Sequence, residues 1–210
     1  MVISVDKAEI IGLLCADGTH FVCYSEYMEW HNIRKKRYFK KRRTERIEFT
    51  NTNNDLLIHF RNLVLNVYTE APKIKFRFFK VRLIKKRFLN DLLRFTDFGW
   101  NKWSIPKEII NSTKNIKAAF IRGIYEGDGT KLQWRGKQPY LEFHMYNIKG
   151  LKQLKKLLFS LGIESKLYMY PKLIIKGHKN VFKFAKIINP KFKKIDLKGI
   201  LKQGVIAGVT

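Results

Sequence analysis

An internal repeat constrains the fold of this chain more than any other feature of its sequence. Residues 9–19 read EIIGLLCADGT and residues 120–130 read FIRGIYEGDGT, so the two segments begin 111 residues apart in a chain of 210. Each is an apolar run of helical character that ends in Asp-Gly-Thr. A segment repeated at half the chain length indicates two halves of similar structure.

Small residues recur at a spacing of four in both repeats, Gly12 with Ala16 and Gly123 with Gly127. Residues four apart lie on one face of a helix, and small side chains there let two helix backbones approach closely. We therefore predict that the two repeat helices pack against each other. Asp17 and Asp128 would then meet at the end of the helix pair.

That arrangement is electrostatically unfavourable without a partner. A helix C-terminus carries partial negative charge, and two adjacent carboxylates repel each other. A divalent cation resolves both problems, and Mg²⁺ fits best because it prefers carboxylate oxygens and keeps several waters. Metal ions of this kind assist phosphodiester hydrolysis. A single Asp-Gly after a helix is a common turn, but two aligned copies favour a metal site.

The charge balance points to a polyanionic partner. Lys and Arg number 43 against 17 Asp and Glu, for a net charge of +26. Phosphate contacts make nucleic acid the leading candidate, with a ribosomal or membrane-surface protein as the alternative. No apolar run approaches the roughly 18–20 residues of a membrane span, and no signal peptide opens the chain.

The cysteines and histidines give no sign of a disulfide framework or a zinc site. Cys15 and Cys23 form no CxxC pair, which favours a reducing compartment, and we expect both to be small core residues. The five histidines are scattered without metal-ligand spacing. The expected compartment is the cytoplasm, archaeal rather than organellar, although the abundance of Lys, Ile, Phe and Asn suits either AT-rich genome.

Hydrophobic periodicity predicts the same order of elements in both halves: helix, two strands, helix, two strands, helix. Asp6 is the predicted N-cap of the first helix and Gly162 the C-cap of the fifth. The predicted helices are 6–16, 54–68, 86–95, 115–127, 148–161 and 178–188. The predicted strands are 19–29, 45–50, 73–78, 130–135, 140–146, 164–170 and 173–176.

The chain thus divides into an N-terminal half (1–95), a connector (96–114), a C-terminal half (115–188) and a basic tail (189–210). The connector holds Gly99, Pro106 and two tryptophans, which favours a packed segment. The run 34–43 is strongly basic and is interpreted as a solvated loop or a phosphate contact. In 73–78 cations alternate with apolar residues, which predicts one basic and one apolar strand face, with a turn or bulge near Phe79.

The two repeats resemble the paired motifs of LAGLIDADG homing endonucleases. Residues 10–18, IIGLLCADG, match the nonapeptide at its third, fourth and last three positions, and residues 121–129, IRGIYEGDG, match about as well. Two motifs in one chain resemble the monomeric branch, in particular small archaeal intron-encoded members. The sixth motif position, commonly acidic, is Cys15 in one copy and Glu126 in the other, while Arg122 replaces a small residue.

The resemblance implies an α+β fold of two pseudo-symmetric αββαββα halves. The motif helices would form the interface, and two antiparallel sheets would form a saddle over a long, nearly asymmetric double-stranded DNA site. Asp17 and Asp128 would hold Mg²⁺ with the carbonyls of Ala16 and Gly127. Mn²⁺ would substitute, and Ca²⁺ would support binding without cleavage. Both DNA strands would be cut, leaving short 3′ overhangs.

The resemblance also implies further candidate catalytic residues. Asn51 matches a polar residue at the end of the second strand, where the other half has Met145. Lys85 and Lys176 match a lysine expected just before the last helix of each half. Lys131, three residues after Asp128, resembles a lysine of some archaeal members, and His20 holds the equivalent place. A plain phosphate contact is the alternative role for each lysine.

DNA contacts are expected on the outward strand faces, where a pair of strands fits the major groove. The candidates are Lys73, Lys75, Arg77, Lys80, Arg82, Gln133, Arg135, Lys137, Glu142, His144, Lys166, Tyr168 and Lys172.

Two other functions fit the same sequence. An RNA maturase built on this fold would share both motifs, although splicing assistance needs no metal-binding carboxylates. A non-catalytic protein that binds rRNA or DNA would explain the charge, but it gives no reason for Asp at both helix ends.

Overall fold

The computed structural model describes residues 3–168 and 171–205. The end of the predicted strand 164–170 and the end of the basic tail lie outside the described residues. No helix within these ranges is both long and apolar enough to cross a membrane.

The N-terminal half follows the predicted order of elements. Its helices are α1 (Val5–Asp17), α2 (Asn54–Tyr68) and α3 (Lys86–Leu93). Its strands are β1 (Gly18–His31), β2 (Lys36–Thr50), β3 (Ile74–Lys75) and β4 (Lys80–Leu83). All neighbouring strands pair antiparallel, in the order β1-β2-β4-β3.

The C-terminal half repeats this arrangement after a short connector helix, α4 (Lys107–Ile110). Its helices are α5 (Lys114–Asp128), α6 (Ile148–Ser160) and α7 (His178–Ile188), followed by α8 (Leu197–Val205) in the tail. Its strands are β5 (Gln133–Arg135), β6 (Gln138–His144), β7 (Lys166–Tyr168) and β8 (Lys172–Lys176). The sheet order β5-β6-β8-β7 matches that of the first half. The predicted α+β fold with two four-stranded antiparallel sheets is confirmed.

The helices α1 and α5 pack backbone against backbone, as the small residues predicted. A Cβ added at Gly12 would lie 2.1 Å from the carbonyl oxygen of Phe120, and one at Gly123 would lie 2.4 Å from that of Glu9. Neither position has room for a methyl group, so glycine at both is a condition of this close contact.

The connector is a packed segment, as predicted, and it contacts both halves: the Phe98 carbonyl accepts from the His20 amide of β1 at 3.1 Å. Phe98, Trp103 and Ile105 are buried, and the Asn147 side chain, which caps α6, donates a 2.7 Å hydrogen bond to the Trp103 carbonyl. Trp100, by contrast, is exposed. The connector therefore forms part of the core of the second half.

Three local predictions are wrong. The N-cap of α1 is Ser4, whose hydroxyl accepts from the Lys7 amide, because the helix begins before Asp6. Segment 73–78 is a strand only at its start and then forms a 3₁₀ turn, which leaves Phe76 and Phe78 exposed. Cys23 is exposed rather than in the core. The expected turn at Phe79 is present, with a left-handed φ of 49°.

The basic run 34–43 is not a loop, because most of it belongs to β2. Strand β2 pairs with β4 only over 47–50, whereas β1 and β2 pair along their whole length. Beyond the sheet, residues 21–44 therefore form a free two-stranded ribbon, and nearly all of its side chains are exposed. We call this segment the ribbon.

Candidate active site

The two motif aspartates meet at the ends of α1 and α5. A Cβ built on Gly127 would lie 2.8 Å from Oδ2 of Asp17 and 2.4 Å from the Ala16 side chain, so glycine lets the helix ends close on each other. Burial, together with the negative charge of Asp17, raises the pKa of Asp128 to about 8, although Lys193 opposes the shift. The arrangement therefore has the charge repulsion that the sequence predicted.

Asn51, at the end of β2, holds the Asp17 carboxylate in place. Its Nδ2 donates a 2.7 Å hydrogen bond to Asp17 Oδ2, while its Oδ1 accepts from the Asn53 amide at 2.8 Å. Those two contacts fix the orientation of the amide. Burial raises the pKa of Asp17, against the lowering effects of Asn51 and Lys193.

The second half offers no equivalent of Asn51. Met145 is buried at the corresponding place. Among the residues that the structure describes, no side chain donates a hydrogen bond to the Asp128 carboxylate. The two carboxylates thus occupy equivalent positions in different surroundings.

Lys193, in the tail, is a site residue that the sequence analysis missed. Its ammonium group donates to the carbonyl oxygens of Tyr125 (3.1 Å), Gly127 (2.7 Å) and Gly129 (2.6 Å), which surround Asp128. Burial lowers the pKa of Lys193, although Glu126 and both aspartates act against this shift. The lysine supplies positive charge where the two acids need it.

Glu126 anchors the tail segment that carries this lysine. Its buried carboxylate accepts hydrogen bonds from the backbone amides of Lys191, Phe192 (3.0 Å) and Lys193 (3.0 Å). Three successive amides around one carboxylate form an anion-binding concavity. The acidic residue at the sixth motif position therefore positions Lys193, and Cys15 cannot do the same in the first half.

A second buried carboxylate, that of Glu9 in α1, joins the two halves. Glu9 accepts from Arg122 at 2.6 Å and from His59 at 2.7 Å, with the Lys191 ammonium 3.5 Å away. Burial raises the pKa of Glu9, but these partners outweigh it and hold the pKa at about 2. Arg122 on α5 and Glu9 on α1 thus bridge the repeat helices.

The structure does not bring Lys85 or Lys176 to the aspartates. Lys85 precedes α3 and forms a 2.5 Å ion pair with Glu70. Lys176 is exposed, and in the sheet it lies opposite Tyr140 of β6. Gly129, next to Asp128, lies opposite Phe143, which is three residues further along β6. The strands that lead to Lys85 and Lys176 therefore extend away from the aspartates. Lys131 is exposed, three residues after Asp128.

The donor set fits a hard divalent ion. Two carboxylates and the nearby carbonyl groups supply only oxygen ligands, the type that Mg²⁺ prefers. Within the described ranges no cluster of three or more His, Cys, Asp or Glu side chains could hold a metal, so water would complete the coordination. Of the two predicted carbonyl ligands, that of Gly127 bonds to Lys193 in this structure.

The predicted DNA-contact residues divide into paired and unpaired cations. Glu48, buried on the sheet, accepts from Arg46, Lys80 (3.1 Å) and Arg82 (2.6 Å). Glu142 likewise contacts His144, and Lys172 lies 3.6 Å from it. The remaining candidates are exposed or half-buried without a described ion pair: Lys73, Lys75, Arg77, Gln133, Arg135, Lys137, Lys166 and Tyr168.

Comparison with known proteins agrees with this fold and this pair of motifs. Residues 115–189 match the model of a family described as a LAGLIDADG-like domain. No curated protein matches the chain.

Two solved structures of I-DmoI match over nearly the full length of both chains. The complex with DNA and Mn gives a TM-score of 0.55 at 17% identity, covering 90% of this chain and 98% of that one. The complex with DNA and Ca gives 0.60 at 14% identity, covering 95% and 97%.

Full-length DUF199/WhiA from Thermatoga maritima also shares the fold. It gives a TM-score of 0.57 at 14% identity, and the match covers 99% of this chain but 62% of that one.

The class of protein is therefore defined by its fold: two motif helices joined at one interface, each followed by a four-stranded sheet. Residues 115–189 match a LAGLIDADG-like domain, and the chain has the two-domain fold of I-DmoI. The resemblance to two-motif LAGLIDADG proteins that was drawn from the sequence is confirmed.

Proposed function

We propose that this protein is a monomeric, site-specific endonuclease of double-stranded DNA that needs a divalent metal ion. One observation carries the proposal: Asp17 and Asp128, both half-buried, meet at the ends of the two motif helices. Two carboxylates held together away from full hydration destabilise a protein unless a cation compensates. A protein that only bound DNA would have no need of this acid pair.

Asp17 and Asp128 would hold Mg²⁺, which would activate water and polarise the scissile phosphate; Mn²⁺ would replace it, and Ca²⁺ would support binding alone. The residues around the acids would position and balance charge. Asn51 fixes Asp17, and Lys193 places an ammonium group beside Asp128. A fixed cation there would stabilise negative charge that develops on the phosphate. Lys131 would contact phosphate from the same side.

The duplex would lie across the exposed strand faces. The unpaired cations of β3 and β5 would contact it, together with those of the 3₁₀ turn at 76–78. The ribbon extends this surface, since it carries exposed Lys36, Arg37 and Arg42 without a described ion pair. A two-stranded ribbon has dimensions that the major groove admits.

The main alternative is a DNA-binding protein that does not cleave. The shared fold with WhiA means that the fold by itself does not decide between the two functions. The Lys193 ammonium also compensates the acid pair without any metal. A maturase would use the same fold, but it would have no use for the paired aspartates.

Substitution of the aspartates separates these functions. Asp17→Asn and Asp128→Asn should each abolish cleavage of a duplex target while DNA affinity is retained or rises. Cleavage products and gel-shift affinity would be measured on the same DNA, with Asn54→Ala, an exposed change at the start of α2, as the control. Cleavage of both strands at the wild-type rate by either Asp variant would refute the metal assignment.

The genomic setting belongs to the same proposal. We propose that the gene lies within an intron, in an archaeal host, and that the protein acts in the cytoplasm. Its target would be the intronless allele, cut to leave short 3′ overhangs. An open reading frame found outside any intron would contradict this part without affecting the chemistry.

A further inference from the structure

We propose that the outer face of α6 and the groove beside it bind single-stranded RNA. This surface lies on the helical side of the second sheet, because α6 packs on the core through Leu151, Leu154, Leu157 and Leu158. The proposed DNA contacts lie on the other side of that sheet. The inference does not depend on the cleavage reaction.

Four lysines occupy the outer face of α6: Lys149, Lys152, Lys155 and Lys156. All are exposed, and none forms an ion pair with a described residue. At 1.5 Å per residue they span about 10 Å of helix, a length comparable to two nucleotides of an extended strand. Cations in a row along a helix attract a polyanion, and no acidic residue of α6 offsets them.

The equivalent helix of the first half shows that this charge is not required by the fold. Asn53 and Asn147 cap α2 and α6 at matching positions. The four lysines then correspond to Asp55, Ile58, Arg61 and Asn62, which sum to zero charge. Both helices pack on the core of their half through an apolar face, so packing does not explain the four charges on α6.

A groove with apolar walls lies beside these lysines. Its volume is about 660 Å³, and it is lined by Lys152, Lys155, Lys156, Phe159, Glu164, Ser165 and Leu167, so that three ammonium groups face one carboxylate. Phe159 is 72% exposed, whereas its counterpart Leu65 is 39% exposed. An exposed aromatic ring next to cations is the usual platform for stacking an unpaired base.

The chemistry of the groove favours an RNA single strand over other polyanions. A duplex hides its base faces and cannot use Phe159, whereas a single strand can stack on the ring and set its phosphates on the lysines. The hydroxyl of Ser165, at the same groove, is buried without a hydrogen-bond partner among the described residues. Such a group both donates and accepts. Rotation of the side chain towards the groove would let it pair with a 2′-hydroxyl, which only RNA has.

The test compares two triple variants that remove the same charge. Lys152→Ala/Lys155→Ala/Lys156→Ala should weaken binding of a labelled 12-nucleotide RNA at least tenfold and reduce the salt dependence of log K by about 2. Lys114→Ala/Lys179→Ala/Lys198→Ala, at exposed sites elsewhere, should change it less than twofold. Affinity for duplex DNA should stay within twofold for the α6 variant. Fluorescence anisotropy over a salt series measures all three.

Phe159→Ala should weaken binding of the same RNA about tenfold through lost stacking, while Leu65→Ala, at the matching position of α2, should not.

Equal loss of RNA binding in the two triple variants, or an equal loss of RNA and duplex binding in the α6 variant, would overturn the proposal. Equal affinity for single-stranded DNA would overturn the assignment to RNA. Displacement of the RNA by polyglutamate of equal length would assign the surface to an acidic protein. Asp17→Asn should leave RNA binding unchanged, so the outcome is independent of the cleavage proposal.

Discussion

The buried charges at the helix interface determine how the site behaves at the scale of single residues. Asp17 and Asp128 repel each other, and the ammonium group of Lys193 lies beside them. The Glu126 carboxylate fixes the position of that lysine by accepting hydrogen bonds from the backbone amides of residues 191–193. The balance at the acids therefore rests on a residue 65 positions further along the chain than Asp128.

Replacing Lys193 tests its part in the reaction. In Lys193→Met the side chain keeps its length but loses its charge, so we expect cleavage to slow about 100-fold or more, the usual effect of removing one preorganised stabilising group. DNA affinity should change less than threefold. Single-turnover cleavage of both strands measures the effect. The neighbouring exposed Lys194→Met is the control, and equal rates for the two variants would contradict the assignment.

Acid should destabilise the protein through Glu9. Its pKa is about 2 in the folded protein against an ordinary value of 4.5, so ionised Glu9 stabilises the fold above about pH 4.5, and this contribution is lost as the pH falls towards 2. The shift corresponds to about 3 kcal/mol. Glu9→Gln should therefore lower the free energy of unfolding at pH 7 by a few kcal/mol.

Urea unfolding at pH 7, 4.5 and 3 checks this linkage. The difference between wild type and Glu9→Gln should shrink from pH 4.5 to pH 3. A difference that stays constant over this range would mean that the contacts with Arg122 and His59 do not lower the pKa of Glu9.

At the scale of elements, the contact between α1 and α5 rests on two glycines. In Gly123→Ala the new methyl group would meet the Glu9 carbonyl at 2.4 Å, so the helices must separate, and we expect a loss of at least about 2 kcal/mol in unfolding free energy. Gly162→Asn is the control, since its left-handed φ of 72° suits asparagine and its surroundings are open. Equal free energies of unfolding for the two variants, measured in urea, would refute the close contact between the helices.

The ribbon should act as a DNA-binding arm without adding to stability. Lys36→Ala/Arg37→Ala/Arg42→Ala removes three exposed cations, so the salt dependence of log K for duplex DNA should weaken by about 2 to 3. The melting temperature should stay within about 2 °C, because these side chains bury little surface. The Lys114/Lys179/Lys198 triple variant is the control. An equal change in both variants would mean that DNA binding depends on the total charge of the protein and not on the ribbon.

Elements with a buried and an exposed face could be predicted from the sequence. The amphipathic α6 has such faces, and the structure confirms them. The motif helices are instead buried on nearly all sides, as their apolar runs and their spaced small residues indicated. The ribbon could not be recognised over 34–43, because both of its faces meet water and a run of cations shows no alternation. Segment 73–78 misled in the opposite way: its alternation is real, but the chain turns at Phe76 before a strand face can form.

At the scale of the whole molecule, internal symmetry made the pair of aspartates predictable, and broken symmetry hid the rest of the candidate site. Asp17 and Asp128 follow from the repeat alone. Lys193 lies in a tail without periodicity, and its position depends on Glu126, which Cys15 replaces in the first half. The acidic residue at one sixth position was the only signal that could have pointed to it. With Asn51 beside one acid and Lys193 beside the other, we expect the two DNA strands to be cut at different rates.

The most direct test of the account is cleavage of the intronless allele of the host gene. With Mg²⁺ the protein should cut both strands at one site and leave short 3′ overhangs. With EDTA, or with Ca²⁺ in place of Mg²⁺, the DNA should be bound but intact. A protein that binds this DNA tightly and leaves it uncut in Mg²⁺ and in Mn²⁺ would contradict the central claim, and it would show that Lys193 has replaced the metal in a DNA-binding protein.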